Sequence, residues 1–291
     1  MAQTMTTTVT TLPESKVHVP IPYLTKSPLY KTEKPYAAVY DVKDIPGAKA
    51  TNHVIELMPQ DVHNARDIPP GTFTLEKNGF EFLKRSNCLD VSNIDDEDLI
   101  YNKFRVEMED TLRSRFPQYR DIIYLDHSIR KRSPMFPGTP GQPVTFPQPA
   151  ALPHFDFTTH GSFLRMALMY PGEPEVYQDR DFDLINIWKV LAGPNNDWPL
   201  AVCDAQSVDF TTDYVANDVI NEITVGENGL MHYSSKHKWY FLKDQEVDDL
   251  ILFRNSNSLG KRAIAFHAAF DPKLVDGPPR QSIEMRFAGF Y

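Results

Sequence analysis

The sequence contains only two cysteines, Cys88 and Cys203, among its 291 residues. Two cysteines are too few for the disulfide framework of a small secreted protein, so we expect free thiols and a reducing, cytoplasmic compartment. No apolar run approaches the ~20 residues needed to span a membrane, and residues 1–11 lack the basic and apolar regions of a signal peptide. These absences predict a soluble protein without a membrane partner.

Basic residues are scarce relative to acidic ones: 30 Lys and Arg stand against 39 Asp and Glu, for a formal net charge of −9. Nucleic-acid binding depends on clustered positive charge, so this balance argues against a nucleic-acid partner. The chain also lacks a repeat of fixed period, a glycine-rich phosphate loop and a dinucleotide-binding fingerprint. With 41% hydrophobic residues, it is nevertheless apolar enough for a substantial core.

Residues 1–35 carry Thr repeats and then scattered Pro and Lys, so we predict an N-terminal arm that is weakly ordered at its start. A single domain over residues 36–291 is expected to follow. One clear helix is predicted from about residue 95 to 115, capped by Ser92 or Asn93. Its buried stripe repeats every four residues, at Ile100, Phe104, Met108 and Leu112.

Most of the other regular structure is predicted to be β-strand. The strand-like segments are 37–40, 73–75, 80–83, 122–125, 163–170, 184–191, 200–203, 239–242, 250–253, 264–270 and 282–287. Residues 73–83 read as a hairpin that turns at 77–79. The spacing predicts a mainly β fold, an antiparallel double-sheet barrel of the jelly-roll or cupin kind with helices packed outside.

Seven prolines fall between Pro134 and Pro153, which excludes a helix or a central strand there. This segment is either a rim or lid over a site, or a passive connection between strands. Directly after it, His154 and Asp156 form the chain's one His-x-Asp pair. On a strand these two side chains and Thr158 would share a face, and with a second histidine they would make a facial triad for Fe(II). Roughly one such pair is expected by chance, so its context must decide.

Three later histidines could complete the triad: His232, His237 and His267. Strand alternation favours His267, because Ala265 and Ala269 would lie on its face and leave room for a metal. The alternative is a hydrogen-bonded core histidine. His232 and His237 lie among Tyr, Ser and Lys in a loop-like stretch, which predicts surface residues.

Thirteen residues after His267, the sequence alternates again, with Arg280, Ser282, Glu284 and Arg286 on one strand face and Ile283, Met285 and Phe287 on the other. If the polar row faces inward, Arg280 and Ser282 could hold one carboxylate of a dicarboxylate co-substrate such as 2-oxoglutarate. Glu284 and Arg286 would then be a structural pair. The alternative is an exposed, salt-bridged edge strand.

Several ordered blocks resemble those of one oxygenase family. They are His-Phe-Asp at 154–156, Asn-Ile-Trp-Lys at 186–189, Trp-Pro-Leu-Ala at 198–201, Cys-Asp at 203–204, His-Lys-Trp-Tyr-Phe at 237–241, Asp-Leu-Ile-Leu-Phe at 249–253, His-Ala-Ala-Phe at 267–270 and Arg-Gln-Ser-Ile-Glu at 280–284. The family is that of the Fe(II)/2-oxoglutarate-dependent oxygenases that include the cephamycin 7-methoxylation accessory protein, the fungal gibberellin desaturase and fungal hydroxylase/desaturase enzymes. The resemblance covers roughly residues 70–291.

This resemblance implies a double-stranded β-helix with Fe(II) held by His154, Asp156 and His267, and with 2-oxoglutarate held by Arg280 and Ser282. It also implies a non-haem iron dioxygenase that uses O2 to hydroxylate, desaturate or cyclise a small secondary metabolite or amino acid. Such an enzyme abstracts a hydrogen from its substrate and releases succinate and CO2.

Asn186 and Trp188 share a strand face and are candidate walls of a substrate pocket, or else core and buried-polar residues. Lys189 departs from the family pattern, which has Arg there, so a role for this position in binding stays open. Two rival functions also remain: a non-catalytic jelly-roll or cupin binding protein, and a metal-dependent cupin enzyme that does not use 2-oxoglutarate. The oligomeric state is open as well, with a homodimer as one alternative.

Overall fold

A computed structural model describes residues 16–138, 145–274 and 277–291. Its strands are β1 (Lys16–Leu24), β2 (Tyr36–Ala38), β3 (Ile55–Asn64), β4 (Phe80–Lys84), β5 (Asp121–Lys131), β6 (His154–Phe155), β7 (Phe182–Val190), β8 (Leu200–Cys203), β9 (Tyr214–Ile220), β10 (Val225–Met231), β11 (Trp239–Phe241), β12 (Asp249–Asn257), β13 (His267–Ala269) and β14 (Gln281–Phe290). Its α-helices are α1 (Leu75–Asn78), α2 (Glu97–Leu99), α3 (Arg105–Arg115) and α4 (Thr159–Met169). None of the helices in these ranges has the length and hydrophobicity that crossing a bilayer requires.

The described strands form two sheets. The large sheet has the order β1-β3-β11-β8-β13-β6-β10-β9-β2, and the small sheet has the order β4-β12-β7-β14-β5. All pairs are antiparallel except β3 with β11 and β2 with β9. Trp188 and Phe253 of the small sheet pack in one cluster with Leu200 and Val202 of the large sheet, so the two sheets share a core. This arrangement confirms the predicted jelly-roll class.

Strand β14 has one apolar and one polar face, as its alternation predicts. Ile283, Met285 and Phe287 pack on the outside of the small sheet, in the same buried cluster as the helical segment 97–115. Burial of each such side chain contributes roughly 1.5–3 kcal/mol. The opposite, polar face of β14 is therefore turned towards the space between the two sheets.

The predicted helix is confirmed, and its stripe is buried at Ile100, Phe104, Met108 and Leu112. The segment is continuous from α2 to α3, because a π-helical turn at Ile100–Phe104 joins them. Its cap differs from the prediction: the side chain of Asp96, rather than Ser92 or Asn93, accepts a hydrogen bond from the backbone N–H of Leu99. The cap thus falls three or four residues later than expected.

Within the predicted N-terminal arm, residues 16–24 form β1 at the edge of the large sheet and pair with β3. Ile21 and Tyr23 are fully buried there. Pro20 and Pro22 take outward positions in the strand's alternation, and an edge strand tolerates proline because its outward backbone groups need no strand partner. Residues 1–15 of the arm lie outside the described residues.

The predicted hairpin over residues 73–83 is only half right. Residues 80–83 lie in β4, but β4 pairs with β12, and the expected first strand is replaced by the helical turn α1. Thr74 caps this turn by accepting a hydrogen bond from Lys77 N, and Gly79 ends it with a φ of 79°. A Cβ at Gly79 would also collide with the backbone of Ile264.

The predicted strand at 163–170 is wrong, because these residues lie in α4 or directly after it. Thr158 caps α4: its Oγ1 accepts a hydrogen bond from the Gly161 N–H at 2.9 Å. Thr158 therefore begins a helix and does not extend the strand face of His154. The buried residues Ser162 and Met166 lie one helical turn apart. This helical period could not be recognised in the sequence, because the eight residues 163–170 are mostly apolar and fit either a strand or a helix.

Strands β3, β9 and β10 have no counterpart in the prediction.

Candidate active site

The structure brings His154, Asp156 and His267 together. His154 on β6 and His267 on β13 lie directly opposite each other in an antiparallel pair, and Asp156 follows β6. Asp156 Oδ1 lies 3.4 Å from Nε2 of each histidine. One ligand atom from each of the three side chains lies within 4.8 Å of the other two. These atoms are close enough to bind a single metal ion.

The backbone fixes the tautomer of His154. Its Nδ1 lies 2.8 Å from the carbonyl oxygen of Leu152, which can only accept, so Nδ1 carries the proton and Nε2 presents a lone pair. Burial lowers the pKa of His267, and the adjacent His154 lowers it further, although Asp156 acts in the opposite direction. His267 is therefore held as the neutral imidazole that a metal requires.

The two oxygens of Asp156 have different surroundings. Oδ1 faces the histidines, whereas Oδ2 accepts hydrogen bonds from Arg286 Nε at 2.8 Å and Asn186 Nδ2 at 3.0 Å. Asn255 lies 3.4 Å from Oδ2 through its Nδ2, and its Oδ1 accepts the Asp156 N–H at 2.9 Å. Burial alone would raise the pKa of Asp156, but the charge of Arg286 and the two histidines hold it well below its usual range. Asp156 is thus an anion with one oxygen already occupied.

This donor set fits Fe(II). Two imidazole nitrogens and one carboxylate oxygen make the facial triad of non-haem iron enzymes, which leaves coordination positions open. A cavity of about 510 Å³ lies beside this site, where Phe155 and Thr158 are among its lining residues. None of the three candidate ligands lines it, so we do not assign it to the substrate.

Arg280, directly before β14, and Ser282, on the polar face of β14, are both buried. The guanidinium of Arg280 donates one hydrogen bond to the Trp198 carbonyl and lies 5.5 Å from the ring centre of Trp188. Among the described residues, Arg280 Nε and Ser282 Oγ have no hydrogen-bond partner. Burial and the nearby charge of Arg130 lower the pKa of Arg280 to about 9. A buried cation with free donors is suited to bind an anion.

The structure gives Asn186 and Trp188 contacts within this site. Asn186 donates to Asp156, and Trp188 lies beside Arg280. Their assignment as substrate-pocket walls stays a prediction. Lys189 faces the other side of β7, where its Nζ donates to Asn87 Oδ1 and the Leu89 carbonyl. It therefore anchors the segment around residue 88 on the outside of the small sheet.

The prediction that His232 and His237 are surface residues is wrong. Both are buried, at 8% and 4% exposure. His232 Nδ1 donates to the Leu24 carbonyl at 2.9 Å, and His237 Nε2 lies 3.1 Å from Asp213 Oδ2. The sequence around the two histidines could not reveal these partners, because the contacts join residues up to 208 positions apart.

Sequence reasoning missed two residues that hold Asp156. Arg286 shares the polar face of β14 with Arg280 and Ser282, so the predicted alternation already placed it towards the site. It had been assigned only to a pair with Glu284, which the structure also contains. Asn255 had no comparable signal, because it lies near the end of β12 and meets Asp156 across 99 residues of sequence.

The described ends of the predicted rim lie near Arg280. Phe136 packs edge-on against Trp198 with 4.7 Å between ring centres, and the Gln148 carbonyl accepts a hydrogen bond from Arg130 Nη1 at 2.6 Å. Residues 139–144 of the segment lie outside the described residues. The rim over residues 134–153 stays a prediction.

Comparison with known proteins places the chain in a family. The model of the family described as oxidoreductase/YMDC permease-like domain matches residues 21–290. The hydroxylase/desaturase efuI of Hormonema carpetanum is 24% identical over 241 residues, which are 76% of this chain and 80% of that protein. The Fe(II)/2-oxoglutarate-dependent dioxygenase nvfI of Aspergillus novofumigatus is 31% identical over 147 residues, which are 48% of this chain and 52% of that protein.

A solved structure of a variant of the iron and alpha-ketoglutarate-dependent endoperoxidase NvfI shares the fold. The TM-score is 0.81 at 22% identity, with 95% of this chain and 98% of that chain covered. Among the curated relatives, two alignments span only about half of the relative, at 48% and 52% of its length. The predicted family is nevertheless confirmed, because the family model matches nearly the whole described chain and similar proteins are named as Fe(II)/2-oxoglutarate-dependent dioxygenases. The chain belongs to the oxidoreductase/YMDC permease-like family, alongside the fungal Fe(II)/2-oxoglutarate-dependent dioxygenases to which it is similar.

Proposed function

We propose that this protein is an Fe(II)/2-oxoglutarate-dependent dioxygenase that oxidises a small molecule. His154, Asp156 and His267 hold the metal, and Arg280 with Ser282 binds the distal carboxylate of 2-oxoglutarate. The reaction is a hydroxylation, desaturation or cyclisation of a secondary metabolite or amino acid. The observation that carries the proposal is the convergence of the three ligand atoms within 4.8 Å of one another.

The chain's own residues bind and orient the reactants. His154 and Asp156 are held in ligand-ready form by the Leu152 carbonyl and by Arg286. Arg280 offers a charged donor in a buried setting, where a hydrogen bond to a carboxylate is stronger than in water. When bound, Fe(II) would supply the chemistry by which O2, the oxidant, converts 2-oxoglutarate to succinate and CO2 and removes a hydrogen from the substrate.

The two rival functions make different predictions. A non-catalytic jelly-roll protein would bind no metal at these residues, and a cupin enzyme of another kind would bind metal but release no succinate. The family relatives named as dioxygenases favour the oxygenase. A cytoplasmic location and a homodimer stay proposals, and the mass of the protein in solution tests the second.

The test is a calorimetric titration of the Mn(II)-loaded protein with 2-oxoglutarate, which measures the affinity for 2-oxoglutarate. Arg280→Ala is expected to weaken 2-oxoglutarate binding by roughly ten- to a hundredfold, because a charge-assisted hydrogen bond is lost. Mn(II) binding should persist. Arg180→Ala, which removes an arginine paired with Asp121 at the surface, is the control and should change neither value. Unchanged 2-oxoglutarate binding in Arg280→Ala would exclude this arginine from the co-substrate site.

A further inference from the structure

The second oxygen of Asp156 is held by two different elements of the small sheet. Arg286 lies on β14 and Asn186 on β7, and the two residues are directly opposite each other in that strand pair. Both side chains extend to the same atom, Oδ2, at 2.8 and 3.0 Å. The metal-facing atom, Oδ1, receives neither of these bonds. The small sheet therefore fixes which oxygen of Asp156 is turned away from the histidines.

Arg286 is itself fixed by two more carboxylates. Its Nη1 donates to Asp126 Oδ1 at 2.8 Å, and its Nη2 pairs with Glu284. Asp126 lies opposite Arg286 on β5, and it also accepts a hydrogen bond from Arg165 of α4 at 2.6 Å. All three nitrogens of the guanidinium therefore contact a carboxylate, two through hydrogen bonds and Nη2 through the ion pair with Glu284, which leaves Arg286 little freedom to rotate away from Asp156.

We propose that Arg286 and Asn186 are positioning residues that keep Oδ2 away from the metal, so that Asp156 ligates through Oδ1 alone. This inference rests on the proposed function. A metal held by one atom from each of the three side chains would keep coordination positions open for its reactants, and a second oxygen of Asp156 would occupy one of them. The hydrogen bonds to Oδ2 thus determine how many coordination positions of the metal stay open for other ligands.

Co(II) tests this, because it binds Fe(II) sites and its visible absorption reports coordination. Arg286→Lys keeps a positive charge for Asp126 and Glu284, but one ammonium cannot reproduce three directed contacts. Asn186→Leu removes the neutral donor and leaves the charged cluster intact. We expect both variants to lose about 10- to 100-fold in Co(II) affinity, as is typical when partners of a metal ligand are removed. In the Co(II)-saturated variants, 2-oxoglutarate should also bind about tenfold more weakly, with a changed Co(II) spectrum.

Arg165→Met is the matched control, because Arg165 shares Asp126 but makes no hydrogen bond to Asp156. Its Co(II) affinity and spectrum should match those of the wild type. If Arg286→Lys does not fold, Asn186→Leu decides alone. Wild-type affinity and spectrum in Asn186→Leu, with wild-type 2-oxoglutarate binding, would overturn the inference. Failure of the proposed function would look different, since the wild type itself would then bind no Co(II), or would bind Co(II) but no 2-oxoglutarate.

Discussion

Asp156 and Asp183 are both buried carboxylates paired with arginine, yet they use their oxygens differently. Both oxygens of Asp183 accept hydrogen bonds, and the donors are Arg254, Tyr119 and Tyr291 to Oδ2 and Arg262 to Oδ1. Asp156 has donors of this kind on Oδ2 only, and its Oδ1 faces two imidazoles at 3.4 Å. In this molecule, the buried carboxylate with hydrogen-bond donors on both oxygens is structural, whereas the one with such donors on a single oxygen lies in the candidate metal site.

The Asp183 cluster has a structural role in the same molecule. It joins β7, which carries Asp183, to Arg254 on β12 and to Arg262 in the segment before β13. Tyr291 also donates a hydrogen bond to Asp183 Oδ2 at 3.0 Å. Because Arg262 precedes the candidate ligand His267 by five residues, this cluster also restrains the segment that leads to the metal centre.

The largest effect is expected for Asp183→Asn. The substitution leaves the buried Arg254 and the partly buried Arg262 without their shared anion, and breaking a buried ion pair typically costs about 3–5 kcal/mol. Urea denaturation should show this loss in the free energy of unfolding. Asp181→Asn is the control: it also removes a partner of Arg262 but at a partly exposed position, so a loss of about 1 kcal/mol or less is expected. Similar losses in the two variants would contradict the distinction drawn for Asp183.

The reverse pattern is expected for Asp156→Asn. An amide cannot supply the anionic ligand, so metal affinity should fall by more than the roughly 100-fold that marks the upper end for residues outside the ligand set. The stability of the metal-free protein should fall much less than in Asp183→Asn, because Arg286 keeps Asp126 and Glu284 as partners. The pair of measurements is a metal titration and a urea melt of the metal-free protein. A large loss of stability with unchanged metal affinity would make Asp156 a structural residue like Asp183.

The two carboxylates also differ in how far sequence could find them. Local alternation predicted the polar face of β14 and the position of His267, because a strand's side chains alternate whatever lies across from them. The Asp183 cluster has no local signature: its bond to Arg254 spans 71 residues, and it depends on strand pairing. The same limit explains why Arg286 was assigned to Glu284, which is two residues away, and not to Asp156, which is 130 residues away. Helix α4 was missed for another reason, since an apolar stretch of eight residues fits either period.

A third acid, Asp213, sharpens the comparison, because it pairs with a histidine but belongs to no group of three metal-ligating side chains among the described residues. Its Oδ2 accepts the Asp209 N–H at 3.0 Å and lies 3.1 Å from His237 Nε2. Burial lowers the pKa of His237 below its ordinary value near 6.5, although Asp213 partly opposes this. The unfolded chain therefore takes up a proton before the folded one as the pH falls below about 6.5, and stability present above that pH is lost as the pH drops towards the lowered pKa.

We expect the free energy of unfolding to fall between pH 7.5 and 5.5, by less than the Asp183→Asn effect. His237→Gln should show a shallower fall, and an identical pH dependence in both proteins would mean that His237 is protonated equally in the folded and unfolded chains.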